Sequence, residues 1–213
     1  MMKAFPHAGA AEDHLDLSWW SPRAGVERRG MREPIVPNLD AETYLLWESR
    51  QRDRFELHHG FAVAFAGGTA DHDRIAHNLR VALDRLFPEP CRSFGSDFKI
   101  RVDAQTFYYP DASVVCAEIS GAETLFDSPR VIAEVLSPGT RAYDLIEKRA
   151  AYRAVASLDV YAIVHTELRR IEADLRDRSR AWHTSYLDDG AIPLGTGTLS
   201  LDEVYARTSL QRA

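Results

Sequence analysis

Apolar and polar residues are unevenly patterned along the chain, and the pattern becomes regular only after residue 37. From Leu39 the segment LDAETYLLWESR places Tyr44, Leu45 and Trp47 on one helical stripe behind a capping Asp40, which predicts a short helix. RFELHH and FAVAFAG, divided around Gly60, alternate as the two arms of a hairpin. ADHDRIAHNLRVALDRLF carries Ile75, Leu79, Leu83 and Leu86 at steps of three and four, the signature of an amphipathic helix, and Pro88 ends it. CRSFGSDFKIRVD and FYYPDASVVCAE read as two strands. Val131–Leu136 reads as a third, apolar enough to be covered on both faces. Pro138 and Gly139 break that strand, Thr140 caps a helix running to about Val155, and DVYAIVHT returns as another buried strand. LRRIEADLRD and AWHTSYLDD then alternate as an antiparallel C-terminal hairpin.

A strand, helix and strand in succession imply a right-handed crossover and a parallel pair. The expected fold is therefore α/β: a mixed β-sheet flanked by helices on both sides, closed by the hairpin. Residues 1–37 carry four prolines, scattered charge and no sustained period, and are expected to be an extension outside the single domain of residues 38–213. Adjacent Trp19 and Trp20 are unusual for a disordered tail and point to docking on the domain or a partner.

Composition adds limits. The chain has 213 residues, 45% apolar and 27% charged, which is enough for one sizeable core. Its net charge of −6 gives no global field for nucleic acid, so such a partner requires a local basic patch. Cys91 and Cys116 form no CxxC pair, so neither a zinc knuckle nor a disulfide framework is expected, and a reducing cytoplasm fits best. No apolar run reaches the roughly 20 residues of a membrane helix, and the N-terminus lacks a signal-like apolar core.

One residue breaks the pattern. Glu134 stands inside the apolar run VIAEVL, where an unpaired carboxylate is costly to bury. A protein cation, a bound metal or exposure at the strand end would each compensate it. Asp111 follows Pro110 in the preceding strand, and Glu56 lies in an earlier one. If the Asp111 and Glu134 strands are neighbours, their carboxylates converge in the manner that holds a hard divalent cation. Lys148, on the helix after Glu134, reaches the same point when that helix packs back over its strand.

Each residue has a plainer role as well. Asp111 after a proline suits a turn. Asp144 and Lys148 form an i, i+4 pair worth a few tenths of a kcal/mol on an exposed helix. His72 and His77, five apart, do not share a helix face as a zinc pair would. His72 is suited to the site, to a phosphate or to the surface. The tandem His58 and His59 read as strand residues without special chemistry. Ser137 and Thr140 satisfy the loop and cap, or bind a phosphate at the helix N-terminus.

At YPDASVV, VIAEVLSPGT and YDLIEKRAAY, preceded by RFELHHG and the helix of His72, the sequence resembles the Uma2 family of restriction-endonuclease-like proteins within the PD-(D/E)xK nuclease superfamily, over roughly residues 40 to 206. The resemblance implies a restriction-endonuclease-like core and a metal-dependent phosphodiesterase site, with Asp111 and Glu134 as metal ligands and Glu56 as an additional acidic one. The superfamily lysine, two residues after Glu134, is replaced by Leu136, and Lys148 matches the family's migrated lysine. Tyr109 stands where the family usually has arginine, and Ala162 where an aromatic follows Tyr161.

The resemblance implies hydrolysis with Mg²⁺ or Mn²⁺, Lys148 orienting water or neutralising charge, and DNA as substrate. Arg74, Arg80, Arg85, Lys99, Arg101, Arg141 and Arg149 are the candidates for a basic rim. Two-fold symmetry would match the duplex, so a homodimer is expected. A non-catalytic nuclease-fold module and a small-phosphoester hydrolase are the rival readings; a broad basic cleft favours the nuclease, a closed apolar pocket the small-molecule enzyme.

Overall fold

A computed structural model describes residues 38–64, 68–137 and 144–212, with the side chains of Asp144 and Leu145 left out. Trp19, Trp20, Pro138, Gly139, Thr140 and Arg141 lie outside the described residues, and so does the expectation of an N-terminal extension.

Local sequence accounts for the first elements. In α1 (Ala41–Glu48) the Asp40 carboxylate accepts from the Thr43 amide at 2.8 Å, satisfying one orphan donor of the first turn. That hydrogen bond holds the Asp40 carboxyl below its ordinary range. β1 (Phe55–His58) and β2 (Phe61–Ala64) pair antiparallel across His59 and Gly60, whose φ values of 48° and 83° make the tight turn that suits a twisted hairpin. α2 (Ala70–Leu86) is capped by Thr69, carries Asp71 and Asp73 in its first turn and Arg85 in its last, and buries Ile75, Leu79, Ala82, Leu83 and Leu86.

The two stretches expected as single strands each divide. CRSFGSDFKIRVD gives β3 (Arg92–Gly95) and β4 (Lys99–Asp103), and FYYPDASVVCAE gives β5 (Thr106–Tyr108) and β6 (Ala112–Val115). In the second, Pro110 has no N–H to give a ladder, and at Tyr109–Asp111 the chain passes from one sheet to another. β7 (Leu125–Phe126) follows, then β8 (Pro129–Val135), a π-helical turn at Asp144–Lys148 leading into α3 (Arg149–Ala154), β9 (Val160–Val164), β10 (Ile171–Arg176) and β11 (Trp182–Leu187). A small hairpin of β12 (Ala191–Leu194) and β13 (Gly197–Ser200) and a short α4 (Leu201–Val204) complete the chain, none of them evident from the polar pattern.

The described strands form a sheet of order β2-β1-β5-β4-β7, a second of order β11-β10-β9-β8-β6-β3 and the β12–β13 pair. β8 lies inside the second sheet, antiparallel to β6 and parallel to β9, so the expected crossover is present. One face of that sheet packs Val131, Ala133 and Val135 against Leu79, Leu83 and Leu86 of α2. The opposite face packs Ile132, Tyr161 and Ile163 with Tyr152 of α3 and with Ile100, Tyr108 and Phe126 of the first sheet. Helices thus flank both sides.

One expectation is overturned: Cys91 and Cys116 are joined in a disulfide, with Cα atoms 3.9 Å apart. They stand just beyond the Arg92–Val115 pair of the β3–β6 ladder, so strand register brings together residues 25 apart in sequence. The cysteines therefore give no support to a reducing compartment. Among the described residues, no helix is long and apolar enough to cross a membrane.

Candidate active site

Strand alternation explains why Glu134 sits where it does. Val131, Ala133 and Val135 turn to the α2 face, so Ile132 and Glu134 turn to the other, under α3. Glu56 arrives from the first sheet by the same rule. Phe55 and Leu57 pack beside Tyr44 of α1, and Glu56 between them points the opposite way. Lys148, at the end of the π-helical turn, reaches between the two acids. Its Nζ lies 2.8 Å from Glu56 Oε1 and 3.3 Å from Glu134 Oε1. The ammonium also sits 5.2 Å from the centre of the Tyr108 ring. Glu56, Glu134 and Lys148 are 2%, 3% and 4% exposed, so these are interior charges that need one another. The compensation for Glu134 is therefore first a protein cation. Lys148 turns inward instead of lying on an exposed helix face.

Asp111 is next to Glu134 by register. The Ala112–Ala133 pair is the last of the β6–β8 ladder, and one step further sets Asp111 across from Glu134. Its Oδ2 accepts from the Val135 amide at 2.8 Å and lies 3.3 Å from His72 Nε2, which α2 brings in from the other side. Of the places open to it, His72 stands beside Asp111.

Both ends of the sheet-to-sheet passage are tied down. The Tyr109 amide donates to Glu56 Oε1 at 3.0 Å, and the Tyr109 hydroxyl donates to Glu48 Oε1 at 2.6 Å. Lys99 pairs with the other Glu48 oxygen at 2.7 Å. Tyr152, four residues after Lys148, donates from its hydroxyl to Glu134 Oε1 at 3.0 Å. Burial, with the charges of Glu134 and Glu56, pushes the Tyr152 hydroxyl pKa far up, so it remains a donor. His58 bonds through Nδ1 to the Tyr108 hydroxyl. Burial, then neighbouring His59, lowers its pKa and favours the neutral ring.

The sequence reading named Asp111, Glu134, Lys148 and Glu56, and the fold brings these into one connected buried cluster. Tyr152 and Glu48 were not singled out, and Tyr109 and Lys99 were given other roles, as a departure from the family pattern and as a basic-rim candidate. The i, i+4 spacing of Lys148 and Tyr152 was the available signal for the first, since such residues share a helix face. Lys99 and Arg149 face inward and are withdrawn from the expected basic rim, whereas Arg85 stays half exposed. The three pair with Glu48, with Asp174 and Glu172, and with Glu203, respectively.

Among the described residues no three His, Cys, Asp or Glu side chains are gathered as a metal-holding group. The donor chemistry nevertheless fits a hard cation. Asp111 Oδ1 and Glu56 Oε2 accept no hydrogen bond from a described residue, although both side chains are buried.

Comparison with known proteins bears on the family and the fold. The family model described as "Uma2: Putative restriction endonuclease" matches residues 41–201. An uncharacterized protein of Synechocystis sp. is 36% identical over 142 residues, covering 65% of this chain and 74% of its own. Another from the same organism is 28% identical over 153 residues, covering 68% and 84%. The crystal structure of a "putative nuclease belonging to DUF820" from Anabaena variabilis superposes with a TM-score of 0.65 at 14% identity, covering 79% of this chain and 98% of that one, a likeness of fold. With the family model spanning the whole described sheet and its acidic cluster, this chain belongs to the Uma2 family.

Proposed function

We propose that the protein is a divalent-metal-dependent phosphodiesterase that cuts DNA. The observation that carries this reading is Lys148. Its ammonium lies 3.3 Å from Glu134 Oε1 and is anchored by Glu56 Oε1 at 2.8 Å, which supports its reading as the family's migrated lysine. A fold that needed only to bury Glu134 would use an apolar residue there, since a buried ion pair seldom stabilises more than a well-packed hydrophobic pair.

Asp111 and Glu134, with Glu56 as an additional acidic ligand, are the residues that would hold Mg²⁺ or Mn²⁺, which supplies Lewis-acid polarisation of the phosphate and a more acidic water. Lys148 stabilises the charge that grows on the phosphoryl oxygens in the transition state. Glu56, held by the Tyr109 amide, fixes Lys148 in place. His72 orients Asp111. No covalent intermediate is required. DNA is supported by the family's description, and two-fold dimerisation by the symmetry of a duplex cut on both strands.

The test is a titration of Mg²⁺ and Mn²⁺ against cleavage of single-stranded, duplex and supercoiled DNA, with Glu134→Ala as control. Metal-dependent cutting lost in Glu134→Ala is expected. Cutting that survives in Glu134→Ala would contradict the assignment. Light scattering at micromolar concentration reports the dimer.

A further inference from the structure

The chain carries a net charge of −6, so a place where positive charge collects runs against its composition. Such a place lies at the end of the second sheet where β8 and β9 begin. Arg130 is near the start of β8, Arg153 is in the last turn of α3, and Arg176, Arg178 and Arg180 follow one another at the β10–β11 turn. Trp182 holds two of them side by side. Its ring centre lies 4.4 Å from the Arg176 guanidinium and 5.6 Å from that of Arg153.

Folding uses only part of this charge. Arg176 donates to the carbonyls of Arg153, Val155 and Ala156 at 2.9, 3.2 and 3.0 Å and so closes the C-terminal end of α3. Asp159 is shared by Arg130 and Arg180, two cations on one acid. Arg153 has Asp174 at 3.8 Å, but that acid is already held by Arg149 at 2.7 Å. Asp177 meets Ser179, Ala181 and His183, and exposed Arg178 pairs with no described acid. The surplus is felt inside the cluster: burial, and then the charge of Arg180, hold the Arg176 pKa below its ordinary value, against the opposing pull of Asp159.

We infer, on the DNA-cutting reading above, that this arginine cluster docks the phosphate backbone of DNA at a surface apart from the acids. Guanidinium groups stay charged at any working pH and match phosphate through paired N–H donors. The side chains of Arg130, Arg153 and Arg180 remain 50%, 37% and 47% exposed, so their outer faces are open to a ligand. The reach is suitable as well. Arg130 and Glu134 are both on β8, about 13 Å apart at the rise of a strand. Phosphates of one strand advance about 3.4 Å each along a duplex, so a duplex with one phosphate at the acids has others within range of the cluster. Contacts of this kind hold a duplex in place without reading its sequence.

Arg153→Gln combined with Arg178→Gln tests the docking surface, because it removes two of the uncommitted charges and leaves the carbonyl contacts of Arg176 and Arg180 in place. The measurement is anisotropy of a short fluorescent duplex with the full-length chain, in EDTA so that no strand is cut, from about 50 to 200 mM salt and beside thermal melting. The logarithm of wild-type affinity should fall linearly with the logarithm of salt. The double variant should melt close to wild type, bind every sequence more weakly, and show a slope shallower by about 2. Wild-type slope and affinity in the double variant, beside a wild type that binds the duplex, overturn the docking surface and leave the DNA reading standing. A wild type that binds no duplex overturns both, and its capture by anionic phospholipid vesicles would then assign the cluster to a membrane surface.

Discussion

Lys148 and Arg149 are adjacent in the chain, and each enters a pair of acids that is buried or largely so, yet the two clusters are finished differently. Around Arg149 each acid oxygen has a partner. The guanidinium meets Asp174 Oδ2 at 2.8 Å, Asp174 Oδ1 at 2.7 Å and Glu172 Oε2 at 3.0 Å. Thr184 donates to Asp174 Oδ1 at 2.6 Å, and His165 meets Glu172 Oε1 at 3.0 Å. Around Lys148 the ammonium is shared between Glu56 Oε1 at 2.8 Å and Glu134 Oε1 at 3.3 Å, and Glu56 Oε2 accepts from no described residue. The first cluster is closed, so its work is to join α3 to β10 and β11. On the function proposed above, the second also serves a bound cation, which a purely structural network would not need to do.

Arg149→Ala should therefore show the largest effect on stability, about 3 to 5 kcal/mol by urea denaturation, because Asp174 is 1% exposed and would lose its main counter-charge. Mg²⁺ should not restore it. Lys148→Ala should cost slightly less, about 3 kcal/mol, and Mg²⁺ should return much of that, since a divalent cation neutralises the same acids. Equal metal rescue in both variants would erase the contrast between the clusters.

Acid sharpens the same comparison. Burial raises the Asp174 carboxyl pKa, but hydrogen bonds from Arg149 and Thr184 outweigh that and leave it below 3.8. A carboxyl whose folded pKa is lowered contributes its stability above the unfolded value and loses it as pH falls through the folded value. Wild type should thus lose urea stability below about pH 4, and Arg149→Ala should lose less over that window. Thr184→Val should show the smallest effect, about 1 kcal/mol from one hydrogen bond to Asp174, with cleavage unchanged.

How far these clusters could be read from sequence follows from the range of the contacts. Glu134 was conspicuous because a charge interrupts an apolar strand, and Lys148 because the following helix must fold back over that strand. The amphipathic stripe of α2 and the β8–β9 crossover were equally local. What stayed hidden depends on register. The Cys91–Cys116 pair, the break at Tyr109–Asp111 and the Lys99–Glu48 pair each join segments whose alignment no single stretch dictates. Arg149 resembled a surface cation until β10 and β11 placed Asp174 and Thr184 beneath it.

The central claim is that Lys148 acts in the chemistry whereas its neighbour holds the fold, and the cleavage rate of Lys148→Arg tests it most directly. Arginine keeps a positive charge near Glu56 and Glu134, but its planar fork cannot reproduce a compact ammonium beside a reacting phosphate. With metal present, the variant should melt within a few degrees of wild type and cut supercoiled DNA on the order of 10²-fold more slowly. Wild-type cleavage rates in Lys148→Arg would contradict the account and make Lys148, like Arg149, a structural cation.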